Sequence, residues 1–554
     1  MAKYEVVNGV GIIPEGVTEI VEQAFMDCTS LTSIVIPEGV KDIRVNAFRD
    51  CTSLTSVVIP ESVRTIWELA FDGCTSLTSI IIPEGVTYID EMAFCGCRSL
   101  TSVVIPSSVS YINDSAFLGC KSLTSIVIPE GVKEIRNDAF KGCTSLTSVV
   151  IPSSVEKIRY SAFRDCPSLT SIVVEEGNSV YDSREGCNAI IETATGKLIK
   201  GCNSTIIPSS VTEIVSDAFS GCTSLTSIAI PSSVILIDNY AFNNCTSLTS
   251  IVIPSSVKSM GRYAFDGCSS LTSIIVEEGN SEYDSREGCN AIILTSTNSL
   301  IKGCNSTIIP SSVTTILEKA FMNCTSLTSV VIPEGVKGMG YSAFKGCTSL
   351  TSVVIPSSTS IGEGAFKHCT SLTSVEILEG VKEISYEAFS GCTSLTSVVI
   401  PSSVTEIVSH TFSGCTSLTS IEIPSSVTMI DDCAFKGCTS LTSIIIPEGV
   451  TKIGSEKSYE PGQVFSGCTS LTSVVINGKI KKIAWKTFSG CTALESITLP
   501  AGVNKIDEDA FEGCTSLKAI NVPAKKKDYY IQRFPENLHS LIVEMEPVKK
   551  AKKK

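Results

Sequence analysis

Cysteine is the residue type in this sequence with the most chemistry to offer. The chain of 554 residues has 25 cysteines and only three histidines. Thiolates bind metals and attack electrophiles, but both roles need partner groups at suitable spacing. Cys95 and Cys97 in "FCGC" form a lone C-x-C, and no C-x-x-C motif pairs with a second one. The spacing therefore predicts no metal site.

Motifs for other kinds of catalysis are also missing from the sequence. There is no G-x-x-x-x-G-K-[ST] phosphate loop, no G-x-G-x-x-G after a strand, no H-E-x-x-H and no G-x-S-x-G. A serine nucleophile needs a nearby histidine, yet the serines repeat along the chain while His368, His410 and His539 do not. We predict no catalytic residue, no cofactor and no enzymatic activity.

One polar motif occurs twice and could form a site. "YDSREGCN" occurs at 181–188 and again at 283–290. Its chemistry-bearing residues are Asp182, Arg184, Glu185 and Cys187, with Asp284, Arg286, Glu287 and Cys289 in the second copy. We interpret it as a polar turn with an internal Asp–Arg pair and an inward cysteine; a ligand pocket is the alternative.

Most of the cysteines belong to a repeat with a period of 23 residues. Nineteen of them follow a phenylalanine by three positions, within near-copies of "AFxxCTSLTSVVIP". A fixed period in the twenties is the signature of a solenoid, in which each repeat forms one rung and buries its apolar face against its neighbours. From Pro14 to Pro523 we count about 22 rungs.

The repeat predicts the structure of a rung. In "LTSIVIP", Leu31, Ile34 and Ile36 point inward and Val35 points outward, because side chains alternate along a strand. Proline then ends the strand, "VTEI" forms a second short extended segment, and "EQAF" forms a helical or 3₁₀ turn that carries phenylalanine inward. Successive cysteines form a buried, reduced ladder, which suits a reducing compartment or a protected core.

These motifs resemble the BspA-like branch of the leucine-rich-repeat family, and the likeness covers nearly the whole chain. The resemblance implies a β-rich solenoid, a right-handed superhelix of parallel strands with short helical or 3₁₀ turns. It also implies a bacterial surface or secreted protein that binds other proteins on host or neighbouring cells.

Interruptions of the period define the predicted domains. Residues 1–523 form the solenoid, with long rungs at 174–211 and 276–313 that carry hairpins with tips "ETATGK" and "LTSTNS". Residues 455–461, "SEKSYEP", form an exposed loop. Residues 524–554 form a C-terminal cap and a basic tail.

Positions that vary between repeats are the candidates for binding. The slots around "VxxIxxxAF" hold aromatic residues among charges, which is typical of interface anchors; the alternative is that each ring merely covers its own rung. They are Trp67, Tyr160, Tyr240, Tyr263, Tyr341, Tyr386 and Trp485. The outward strand positions form a second candidate, a β-branched row that includes Val127 and Val150 and is broken by Glu376 and Glu422. We expect that row to contact a protein partner or another copy of the chain.

The charge distribution limits the kind of partner. The net charge is −14, and residues 525–554 contain nine Lys or Arg against four Asp or Glu, so the rest of the chain is near −19. An acidic body argues against nucleic acid. No signal peptide and no apolar stretch long enough to span a membrane is recognisable, which predicts a cytoplasmic chain, whereas the resemblance implies the cell surface. We predict a non-enzymatic, adhesin-like protein; the alternatives are an intracellular interaction scaffold and, more remotely, an enzyme.

Overall fold

A computed structural model describes residues 4–454 and 462–546. The predicted loop at 455–461 and the basic end at 547–554 lie outside the described residues. The chain divides into two compact units. Unit 1 contains Met1–Leu271 and Val276–Glu282, and unit 2 contains Thr272–Ile275 and Tyr283–Lys554.

Each unit is a parallel β-solenoid, as predicted, and about 23 turns are present against the 22 rungs expected. A rung has two strands joined by short turns. The first strands of unit 1 are Val10–Ile12, Ser33–Val35, Ser56–Val58, Ser79–Ile81, Ser102–Val104, Ser125–Val127, Ser148–Ile151, Ser171–Val174 and Ser250–Ile253, with Glu5–Val7 antiparallel to the first of them. Its second strands are Glu19–Ile20, Asp42–Ile43, Thr65–Ile66, Tyr88–Ile89, Tyr111–Ile112, Glu134–Ile135, Lys157–Ile158, Glu213–Ile214, Leu236–Ile237 and Ser259–Met260.

Unit 2 repeats this plan. Its first strands are Ser273–Val276, which ends at the unit boundary, Ser352–Ile355, Ser374–Ile377, Ser397–Val399, Ser443–Ile446, Ser473–Ile476, Ser496–Thr498, Ala519–Val522 and Ile542–Glu544. Its second strands are Thr315–Ile316, Gly338–Met339, Ser360–Ile361, Glu406–Ile407, Met429–Ile430, Lys452–Ile453, Lys482–Ile483 and Lys505–Ile506.

The alternation predicted for the first strand is confirmed. Leu31, Ile34 and Ile36 are at most 2% exposed, whereas Val35 is 63% exposed. Neighbouring strands pair in register at the repeat spacing, as in Ser125 with Ser148. Each side chain therefore meets its own copy in the next rung.

The "AF" segment forms consecutive hydrogen-bonded turns. Ala47 N–H donates to Arg44 C=O, and Phe48 N–H donates to Ala70 C=O in the next rung. The residue before the alanine is left-handed, with φ of 57° at Asn46, and this interrupts a continuous helix. Among the described residues, only Glu508–Phe511 makes this segment a regular 3₁₀ helix.

The phenylalanines stack in the core in runs that are interrupted at the long rungs. From Phe25 to Phe163 in unit 1 the ring centroids lie 5.0–5.5 Å apart, with interplanar angles of 3–8°. After a regular rung, the cysteine donates its thiol to the phenylalanine carbonyl of that preceding rung, as Cys51 Sγ does to Phe25 O at 3.0 Å. After the two long rungs, Cys222 and Cys324 donate to Gly201 O and Gly303 O instead. The cysteine thus satisfies a backbone acceptor as well as filling space.

Each long rung folds as predicted around a hairpin. In unit 1, Ala189–Glu192 pairs antiparallel with Lys197–Gly201, and Tyr181–Asp182 adds a third strand that the sequence did not predict. In unit 2 the corresponding strands are Tyr283–Asp284, Ala291–Leu294 and Ser299–Gly303. The 3₁₀ turns Arg184–Gly186 and Arg286–Gly288 belong to the same rungs.

Unit 2 ends in a short helical segment. It consists of the α-helix Lys527–Ile531 and the 3₁₀ helix Glu536–Leu541. Tyr530 is fully buried and its hydroxyl donates to Pro500 O at 2.8 Å. Ile542–Glu544 then pairs with Ala519–Val522, so the chain returns to the first-strand sheet.

Candidate functional site

The outward positions of the first strands form an apolar row in unit 1, which we call the valine row. Val127 and Val150 are register partners and are 72% and 41% exposed. The whole row is Val35, Val58, Ile81, Val104, Val127, Val150 and Val173, each at least 41% exposed. Exposed apolar side chains in such a line are unusual for a surface that contacts only water.

A row of threonines lies beside the valine row, and their hydroxyl protons are already bonded to backbone carbonyls. Thr147 Oγ1 donates to Thr124 O at 3.1 Å, and Thr55 Oγ1 donates to Thr32 O at 2.9 Å. Because these hydroxyl protons already have acceptors, covering the row with a partner leaves few polar groups without a hydrogen bond. The strand face of unit 1 can therefore be covered at low desolvation cost.

The equivalent row in unit 2 is interrupted by charge. Glu376 lies in register between Val354 and Val399, and Glu422 bridges to Val399 from the next rung. Both glutamates are exposed. The structure thus places Glu376 and Glu422 on one face, two acidic positions on either side of an exposed valine.

The two predicted tryptophan anchors each donate a hydrogen bond to an aspartate in an adjacent rung. Trp67 is half-buried, its Nε1 donates to Asp42 Oδ1 at 3.1 Å, and the Arg44 guanidinium lies 5.2 Å from its ring centroid. Trp485 Nε1 donates to Asp509 Oδ2 at 3.0 Å. These contacts favour the alternative that each indole covers its own rung.

The predicted tyrosines do not form one cluster. Tyr240 and Tyr263 stack with centroids 5.3 Å apart, and Tyr386 meets His410 edge-on at 5.6 Å. Tyr160 and Tyr341 are 45% and 46% exposed. Of the seven aromatic residues, the structure brings only Tyr240 and Tyr263 into ring contact with each other.

The cysteine ladder is chemically quiet. Burial raises the pKa of the Cys51 and Cys392 thiols to about 12, so both stay protonated and act as donors near neutral pH. Cys95 is half-buried, and burial together with the nearby Asp72 carboxylate raises its pKa to about 12. The described residues contain no disulfide.

The "YDSREGCN" motif folds as a polar turn. Arg184 Nε donates to Asp182 Oδ1 at 2.6 Å, and Cys187 is buried. Burial opposes ionisation of Asp182, but hydrogen bonds from Arg184 and Thr193 outweigh it and lower the pKa of the carboxyl. The Asp–Arg pair therefore holds the hairpin turn together.

Sequence reasoning missed a cavity of about 430 Å³ in unit 1. Tyr160 lines it, together with Ile158, Tyr181, Glu192 and Asp217. These residues come from three separate parts of the sequence. The signals that pointed to them were Tyr160 in the variable segment "VEKIRYSAF" and Tyr181, the first residue of the "YDSREGCN" motif.

Two further observations concern metals and membranes. Across residues 4–454 and 462–546, no group of three or more His, Cys, Asp or Glu side chains is placed to hold a metal ion. Within the same residues, no helix has the length and apolar character needed to cross a bilayer.

Comparison with known proteins identifies the repeat. The family model of the BspA type leucine rich repeat region matches six times, over residues 11–123, 110–188, 198–302, 295–418, 359–460 and 461–547. Comparison with curated protein sequences gives no match.

Solved structures of similar proteins include several from bacteria. A leucine-rich repeat protein from Eubacterium ventriosum is 24% identical, with 62% of this chain and 83% of that chain covered and a TM-score of 0.46. A leucine rich cell surface protein from Faecalibacterium prausnitzii is 25% identical, with 82% and 85% covered and a TM-score of 0.33. The pneumococcal vaccine antigen PcpA is 17% identical, with 98% and 96% covered and a TM-score of 0.28.

The matched segments span most of the sequence, and the rungs they cover have the strand, proline, phenylalanine and cysteine positions described above. The chain belongs to the BspA-type leucine-rich repeat family.

Proposed function

We propose that this protein is a non-enzymatic adhesin-like module that binds a protein on a host or neighbouring cell through the first-strand face of unit 1. The observation that carries the proposal is the valine row. Seven β-branched side chains occupy seven successive first strands, and Val127 and Ile81 are each 72% exposed. An apolar line of this kind supplies the dry centre that protein interfaces need.

The surroundings of the row favour a protein partner. The flanking threonines donate their hydroxyl protons to backbone carbonyls, so covering this rim breaks few hydrogen bonds to water. In unit 2, Glu376 and Glu422 interrupt the row, and this difference supports the choice of unit 1 for the apolar docking surface.

The test uses binding of the full chain to cultured epithelial cells. Val127→Lys with Val150→Lys places two charges in the row, and we expect saturable, trypsin-sensitive cell binding to fall by more than about tenfold. Tyr88→Lys with Tyr111→Lys is the matched control, since it adds the same charges to exposed positions on the second strands of adjacent rungs. Equal binding by both double variants would overturn the proposal.

An intracellular interaction scaffold is the second candidate, and the cysteines favour it. All but three of the 25 cysteines are buried, and no two cysteines among the described residues form a disulfide. Reduced cysteines are typical of proteins kept in a reducing compartment. Fractionation of the source cells distinguishes the two, because an adhesin is found outside or on the envelope and a scaffold stays in the cytoplasm.

A further inference from the structure

The cavity in unit 1 lies where the regular sheet of second strands stops. Lys157–Ile158 is the last strand of a seven-stranded sheet, and the hairpin of the long rung begins a separate sheet. In regular rungs the isoleucine carbonyl accepts a backbone N–H from the next rung, as Ile135 O does from Arg159 N at 3.0 Å. No donor among the described residues reaches Ile158 O, so the cavity contains an unused backbone acceptor.

The cavity floor also has an unused donor. Tyr181, only 4% exposed, accepts the Ile158 N–H on its hydroxyl oxygen at 2.9 Å, so its own proton remains available. Asp217 is 8% exposed, and its Oδ1 is closed to solvent and faces Arg164 Nε at 3.4 Å. The Ile158 carbonyl and the Tyr181 hydroxyl proton therefore remain as the groups that water or a polar ligand can complete.

The walls are balanced in charge and partly apolar. The cavity lining contains two cations, Lys157 and Arg159, and two acidic residues, Glu192 and Asp217. Both cations already face Glu134, with Arg159 Nε 3.2 Å from its carboxylate. Asn137, Ser161 and Ser216 add neutral donors and acceptors, while Ile158, Ile199 and the exposed ring of Tyr160 supply apolar surface.

We propose that this cavity binds a neutral saccharide of one or two pyranose rings. Each sugar hydroxyl both donates and accepts, so one ligand can use Tyr181 O–H and Ile158 O together. The C–H face of a pyranose packs on the Tyr160 ring and the isoleucines. The balanced charge of the lining gives no advantage to an anion or a cation, and the volume lies within the usual range for small ligands, about 300–1,000 Å³.

The second long rung shows that the hairpin does not require these residues. The two hairpin segments are near-copies in sequence, yet the positions that correspond to cavity residues differ. Arg262, Gly261, Leu294 and Lys319 stand where the first copy has Tyr160, Arg159, Glu192 and Asp217. The hairpin fold therefore does not require the polar cavity residues of the first copy.

The proposal is independent of the valine row, and the test is made on the full chain. The probes are methyl glucoside, methyl galactoside, methyl mannoside, N-acetylglucosamine, lactose and maltose, at millimolar concentration, with binding measured by saturation-transfer difference NMR and calorimetry. We expect at least one to bind, and Tyr160→Ala to weaken it by about tenfold through loss of the stacking face.

Tyr341→Ala is the matched control. Tyr341 lies in the same "YSAF" context, is equally exposed and does not line the cavity, so its loss should leave binding unchanged. Tyr181→Phe tests the floor with little change in size and should also weaken binding while circular dichroism stays native. Val127→Lys with Val150→Lys should leave saccharide binding intact. Failure of every neutral probe, or equal loss of binding in Tyr160→Ala and Tyr341→Ala, would overturn the proposal.

Discussion

The cysteine ladder makes a quantitative prediction about alkaline pH. Cys392 is fully buried, and its thiol donates to Phe366 O at 3.2 Å. Burial raises the pKa of this thiol to about 12, whereas an unfolded cysteine titrates near 8.5. The folded state therefore retains a proton that the unfolded state loses. The stability this thiol contributes is complete below pH 8.5 and declines as the pH rises toward 12.

The size of the effect follows from linkage. Between pH 8 and pH 10, ionisation stabilises the unfolded thiolate by about 2 kcal/mol, while the folded thiol stays protonated. Cys392→Ala removes this pH-dependent contribution to the free energy of unfolding, together with a buried sulfur and one hydrogen bond. We expect the substitution to lower the free energy of unfolding by about 1–2 kcal/mol at pH 8 and to have an effect close to zero at pH 10.

Urea denaturation under reducing conditions measures the free energy at both pH values. Val404→Ala is the matched control, because Val404 is fully buried in the same rung and does not titrate. The loss in free energy of unfolding caused by Val404→Ala should be the same at pH 8 and pH 10. If Cys392→Ala destabilises the protein equally at pH 8 and pH 10, then the native thiol ionises as easily as an unfolded one. That result would refute the buried-donor interpretation of the ladder.

Three further predictions test other parts of the structure. Phe140→Ala removes a ring stacked at 5.5 and 5.3 Å on its neighbours and should cost about 3–5 kcal/mol in urea denaturation; a loss below 1 kcal/mol would contradict the stacked core. Asn178→Ala removes two bonds donated to Pro152 O and Val155 O and two accepted by its side chain, so we expect a loss of about 2–4 kcal/mol, against a negligible loss for exposed Ser179→Ala. A thiol reagent should label the native chain at no cysteine other than the three half-buried ones, with Cys95 slow because its pKa is raised to about 12, and at all 25 after denaturation; rapid native labelling of more would show an open ladder. Those three are Cys28, Cys95 and Cys514.

Features that repeat could be predicted from the sequence. The positions of Leu31, Ile34 and Ile36 in the core follow from strand alternation and the period of 23, and the structure confirms them. The hairpin tip between Ile191 and Leu198 was likewise predictable, because apolar pairs flank a polar segment. In both cases the information is local or is copied many times.

Features that depend on how one rung meets the next were not predictable. The thiol of Cys51 reaches a carbonyl 26 residues earlier, an offset that only the stacked structure reveals. The left-handed position is occupied by Asn46, Leu69 and Met92, with φ of 56–57°, so no glycine marks it. The same applies to candidate sites, since the aromatic slots predicted Trp67 but not its bond to Asp42.

The docking surface in unit 1 is the central claim, and site-specific photocrosslinking tests it most directly. A benzophenone amino acid is placed at position 127 in one chain and at position 111, on a second strand, in another. Both chains are bound to epithelial cells and irradiated, and adducts are identified by mass spectrometry. We predict a covalent adduct with one cell-surface protein from position 127 and none from position 111. Adducts from position 111 alone, or adducts of position 127 only with a second copy of the chain, would contradict the account.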